Sequence, residues 1–149
     1  MARRNRLAAL AGMKQVRELQ LRQAEMRLAE SNDALRRVEL RRDEAVEALE
    51  AGQQGWSDAV SQPYLSLQMA ASWSASLHLG EDALREVEAE RSDAESERHA
   101  RTGDWRGSSA RADLVRSLLR SADRDSRRHK DEAALNAIED RTARGRSES

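Results

Sequence analysis

Leu7, Lys14, Leu21, Leu28, Leu35, Arg42 and Leu49 recur every seven residues, and Leu10, Arg17, Ala24, Ser31, Val38, Ala45 and Gly52 recur three positions after them. Two apolar-biased positions in each seven, with charged residues between, make a stripe down one side of an α-helix that is narrow enough to face a single partner helix. The pattern fails between Gly52 and Pro63, where Gly52, Gly55, Ser57, Ser61 and Pro63 lower helix propensity and favour turns. A second seam then runs through Ala70, Leu77, Leu84, Arg91, Arg98, Trp105, Ala112 and Leu119, accompanied by Trp73, Gly80, Val87, Ala94, Arg101, Ser108, Val115 and Ala122. Its middle, Arg91 to Ser109, is mostly polar, which predicts weak packing there and distortion at Gly103 and Gly107.

These patterns predict a helix over 1–51, a turn over 52–63, a second helix over 64–142 and a flexible tail over 143–149. The fold class is all-α, an elongated and monomeric antiparallel two-helix coiled-coil hairpin, with a parallel dimer of the whole chain as the competing arrangement. In an antiparallel pair each first-type position faces a second-type position of the other helix, so residues that meet have numbers with a constant sum. A sum near 122 sets Leu49 on Trp73, Ala45 on Leu77, Val38 on Leu84, Leu35 on Val87, Leu28 on Ala94, Leu10 on Ala112 and Leu7 on Val115. It also brings Arg17 beside Trp105 for a cation–π contact, and a sum near 115 stays open as the alternative register. At a sum of 122 the second helix passes the paired N-terminus beyond about residue 118 and overhangs by roughly 25 residues, or about 35 Å.

Composition agrees with a core one stripe wide. The chain has no Phe, one Tyr and three Trp, and its 38% hydrophobic content is heavy in Ala against 36% charged residues. Charge is unevenly placed: residues 1–42 carry +6, 43–104 carry −10 and 105–149 carry +3. A hairpin folded near residue 58 is therefore expected to be electrically polar, basic at its terminal end and acidic at its tip.

Several chemistries are missing. With no Cys there is no disulfide framework and no thiolate nucleophile. His78, His99 and His129 are far apart and stand in no metal-ligand spacing, and the chain has neither a phosphate-cradling glycine loop nor a nucleophile elbow. No cofactor, metal or catalytic residue is expected. No apolar run approaches the roughly 20 residues of a membrane span. The short apolar stretch after Arg3, Arg4 and Arg6 is closed by Lys14 without a cleavage site, so it reads as the start of a helix in a cytoplasmic protein. Arginine clusters are interleaved with acids and lack stacking aromatics, which favours protein docking over nucleic-acid binding.

The basic start, the Leu/Ala heptad helix, the break, the longer second helix and the Arg-rich end carrying Lys130, Asp131, Glu132 and Ala133 together resemble the FliJ/YscO family, small stalk proteins of flagellar and type III secretion systems. The resemblance covers the full length. It implies a non-catalytic stalk or adaptor, cytoplasmic and peripheral to the inner-membrane export apparatus. Its terminal end would dock into and stimulate the export ATPase hexamer, and its other end would reach the membrane-embedded export gate. Export chaperones are a further implied partner. Arg42 and Ala45 depart from the aromatic-rich tip of many relatives, which weakens the gate assignment more than the ATPase assignment.

Two patches are candidate docking surfaces. The tip for the gate comprises Trp56, Tyr64, Leu65, Met69, Trp73 and Leu77, with a small cap over the turn as the competing explanation. The terminal end for the ATPase ring comprises Arg3, Arg4, Arg6, Leu118, Leu119, Arg124, Arg127, Arg128, Leu135 and Ile138. A generic structural or scaffold-type coiled coil is the alternative function, and a nucleic-acid adaptor ranks third.

Overall fold

The structure, a computed structural model, describes residues 2–147. It contains two helices that pack on each other, α1 over Ala2–Val60 and α2 over Leu67–Ser147, and no strand among the described residues. The all-α hairpin expected from the heptads is what the chain adopts. Two compact units make it up: one joins residues 2–24 to 105–147 and the other spans 25–104. Within each unit, α1 and α2 run antiparallel.

The turn lies later than its sequence suggests. Instead of breaking at Gly52, α1 stays helical through Val60, nine residues past its expected end, and the nonhelical linker is residues 61–66. Ser61 closes α1, its amide and hydroxyl both donating to the Ser57 carbonyl at 3.2 and 2.9 Å, while the Gln62 amide reaches the Ala59 carbonyl at 3.3 Å. Pro63 then bars continuation, because it has no N–H to donate and disfavours the helical region for Gln62. Ser66 restarts the helix as its N-cap: its hydroxyl accepts from the Met69 amide at 3.0 Å, three residues on. At the far end α2 remains helical through Ser147, so the expected tail over 143–149 is helical as far as it is described, with Arg144 and Arg146 in the last turn where the helix dipole favours cations.

Gly52 and Gly55 are used for packing. A Cβ built on Gly55 would stand 2.9 and 3.1 Å from Cζ3 and Cζ2 of Trp73, and nearer still to Cη2. Leu77 Cδ2 lies 3.4 Å from the corresponding point on Gly52, and Leu49 Cδ1 lies 3.2 Å from that on Gly80. Each glycine is thus a notch in one helix filled by a large side chain of the other. A mid-helix Gly costs about 1 kcal/mol of propensity, and the close approach of a neighbour offsets it at these positions.

These pairs correct the register. Leu49 with Gly80 and Gly52 with Leu77 have numbers that add to 129, one heptad above the expected 122 and two above the alternative of 115. Ion pairs between the helices agree: in the unit of residues 25–104, Arg41 donates to Glu90 at 2.6 Å and Arg91 Nε stands 3.9 Å from Glu39. In the other unit, Arg116 Nε meets Glu18 at 3.3 Å, and Leu7 shares a cleft with Ala122. Arg17 is therefore level with Ala112 and does not meet Trp105; it donates to Gln20 at 3.0 Å. Trp105 is level with buried Ala24.

Every position of the two seams is buried or half-buried except Arg98. Among the described residues the buried apolar ones are Ala24, Ala112 and Val115 in one unit and Leu35 and Val38 in the other. Ser31 joins them at no unpaired cost, its hydroxyl donating to the Leu28 carbonyl at 2.9 Å. The polar middle of α2 shows no distortion: it is continuous helix through Gly103 and Gly107, and no residue there has a positive φ. Arg91 occupies a seam position there ringed by Glu39, Glu88 and Glu95 at 3.4 to 3.9 Å. The Arg42 guanidinium is held above its ordinary pKa chiefly by its hydrogen bond to Asp43, so it keeps its charge.

Candidate functional site

Around the linker, the expected tip residues divide into two groups. Trp73 and Leu77 are half-buried against Gly55 and Gly52, and Trp56 is half-buried on the α1 seam. Trp73 and Leu77 thus pack on the hairpin itself. Tyr64, Leu65 and Met69 are exposed, Tyr64 by 91%. Leu67, in the same apolar stretch, is 90% exposed at the first position of α2, and Val60 is exposed at the last position of α1. Tyr64, Leu67 and Met69 form no stripe of heptad spacing and lie outside the seam. A shallow groove of about 500 Å³ opens beside them, lined by Ser66, Gln68, Met69, Ser72, Trp73 and Ser76. The unit of residues 25–104 carries 9 basic and 18 acidic side chains, so the apolar linker belongs to an acidic body.

The unit formed by residues 2–24 and 105–147 has the opposite character, with 17 basic and 8 acidic side chains. The first turns of α1 pack beside α2 to leave two adjoining clefts. One, of about 400 Å³, is lined by Arg3, Arg6, Leu7, Ala122, Asp125, Ser126, Arg128 and His129. The other, of about 370 Å³, is lined by Arg3, Arg4, Asn5, Ser126, His129, Lys130 and Ala133. Three arginines from α1 and two cations from α2 thus converge on one region, where the N-terminal end of the α1 dipole adds positive potential. The heptad spacing that gave Ala122 reaches His129 one repeat later, which is the signal by which sequence could have found that residue.

The overhang is shorter than expected. Ser126 is the last partly covered position of α2, and all 21 residues from Arg127 to Ser147 are exposed. At 1.5 Å per residue the exposed helix is about 30 Å long. It starts beyond Ser126 because the register is one heptad higher than 122, which lengthens the paired part of α2. Leu119 is consequently half-buried on the seam, and Leu118 is exposed on the outer flank of the paired region. Neither belongs to the overhang. Leu135 and Ile138 are both exposed on it, Arg124 is exposed just before it, and Arg127 forms an ion pair with Asp123 at 3.0 Å.

Among the described residues no three His, Asp or Glu side chains converge as a metal site, and no helix is long and apolar enough to cross a membrane. The fold and these surfaces define a class, the antiparallel two-helix coiled coil with one cation-rich unit and one acidic unit. No family model matches the chain, and no curated protein or solved structure is found to be similar to it.

Proposed function

We propose that the chain is a non-catalytic coiled-coil stalk or adaptor of a flagellar or type III export apparatus, cytoplasmic and peripheral to the membrane, whose terminal unit docks into an export ATPase ring and stimulates it. The observation that carries this reading is the exposed helix from Arg127 to Ser147, which begins beside clefts lined by Arg3, Arg4, Arg6, Arg128 and Lys130. An isolated helix gains little in water from its own apolar positions, and most helical stability in proteins comes from packing. Leu135 and Ile138 with a cationic base therefore suit a partner that presents apolar contacts within an acidic surround, as a channel through a ring does. The exposed Tyr64, Leu67 and Met69 are the corresponding contacts for the export gate, in place of Trp73 and Leu77. Export chaperones remain partners in this proposal, nucleic acid does not, and a scaffold-type coiled coil is the alternative.

The test is ATP hydrolysis by the cognate export ATPase with and without the protein. Deletion after Ser126 and, separately, Arg3, Arg4 and Arg6 all changed to Glu should each abolish stimulation while the paired region keeps its helicity by circular dichroism. Full stimulation by the deletion variant sinks the assignment of the terminal unit to the ring.

A further inference from the structure

Large apolar side chains off the seam gather on one flank of the terminal unit. Met13, Val16, Leu114 and Leu118 are exposed by between 42 and 60%, so the hairpin does not cover them. Their heptad positions explain why they lie together. Within this unit, Arg116 with Glu18 sets one edge of the helix pair, and Leu7 with Ala122 sets the seam. The opposite edge then brings Met13 level with Leu118, and Val16 and Leu114 sit about one turn further along the same flank. The edge marked by Glu18 and Arg116 is charged; at this level the other edge is apolar on both helices.

The spacing is self-complementary. On α2 the midpoint of Leu114 and Leu118 is residue 116, and on α1 the midpoint of Met13 and Val16 lies between residues 14 and 15. The register puts those two midpoints at the same level within about one residue, or roughly 1.5 Å. A single two-fold axis crossing the flank at that level therefore sets Leu114 on Leu118 of a second copy and Met13 on Val16 of that copy, each twice. This is the alternation by which first and second seam positions interlock in antiparallel pairs, repeated between hairpins, and it is an isologous contact that closes at two copies. Charge permits it: the same operation sets Arg6 against Gln23, Ala9 against Gln20 and Arg111 against Ser121, so no like charges face each other along the flank.

We infer that this flank is a homodimer interface, at which two hairpins pair antiparallel into a four-helix bundle centred on Met13, Val16, Leu114 and Leu118. Four apolar side chains per copy make a small interface, at the weak and transient end of protein contacts. Self-association is thus a property of the free chain at high concentration, and it stands or falls independently of the docking to an ATPase ring.

Sedimentation velocity from about 1 to 300 µM tests it, with dimer expected to accumulate across that range. Because both positions are exposed, Leu118→Asp on α2 and Val16→Glu on α1 should leave helicity and thermal midpoint unchanged, yet each should weaken dimerisation at least about tenfold. Orientation is read by disulfides, since the chain has no Cys of its own. A mixture of Leu114→Cys and Leu118→Cys chains should cross-link between the two positions, faster than Met13→Cys mixed with Leu118→Cys. A wild-type chain that stays monomeric at about 300 µM, a dimer indifferent to both charged variants, or preferential cross-linking of positions 13 and 118 overturns the inference.

Discussion

Replacing Gly55 by Ala is an informative single change in this protein, because helix propensity and packing predict opposite signs. In a helix interior the substitution ordinarily stabilises by about 1 kcal/mol, since Ala loses less backbone freedom on folding. At Gly55 the new methyl would fall inside the van der Waals envelope of the Trp73 indole, with Cζ3 at 2.9 Å and Cζ2 at 3.1 Å. The obstacle is a rigid ring lying on the notch, so either the indole leaves its place or the helices part. Overpacking of this kind costs about 1–3 kcal/mol, and the net expectation is a loss of up to about 2 kcal/mol after the propensity gain. Gly103→Ala is the control, because nothing lies within 4 Å of its added methyl and only the propensity gain of about 1 kcal/mol applies. The assay is thermal and urea unfolding followed by far-ultraviolet circular dichroism on both variants, on Trp73→Ala and on the Gly55→Ala/Trp73→Ala double variant. Removing the indole should turn the Gly55→Ala effect from destabilising to stabilising, a coupling of about 1–3 kcal/mol. If Gly55→Ala raises the midpoint as much as Gly103→Ala does, Trp73 is not seated on Gly55 and the register loses its strongest pair.

Ser66→Ala removes the cap on the Met69 amide and should lower stability by about 1 kcal/mol in urea unfolding, with Ser66→Asp restoring most of it. Amide hydrogen exchange should be faster over residues 134–147, which are exposed beyond the clefts, than around buried Leu35, Val38, Ala112 and Val115; equally slow exchange in both stretches of the monomer would contradict that ordering.

Heptad periodicity is a local property, and it was fully legible. Positions seven apart share a helix face whatever lies opposite, so Leu7 to Leu49 and Ala70 to Leu119 could be assigned to seams from sequence, and all but Arg98 are covered. The basic and acidic blocks were equally legible as composition. Register was not, because sliding one helix by seven residues returns the same seam to the same face and changes only which large side chain meets which small one. Matching large residues to gaps along the sequence sets Leu49 on Trp73 and leaves Gly52 and Gly55 as a break. In the folded chain Trp73 fills Gly55, Leu77 fills Gly52 and Leu49 fills Gly80. From that one difference follow the turn at 61–66, the longer paired region, the overhang that begins at Arg127 and the seating of Trp73 and Leu77 on glycines. The physical reason is that glycine's local cost, about 1 kcal/mol in a helix, is visible in sequence, whereas the close approach that offsets it exists only once a particular side chain of the other helix lies across the notch.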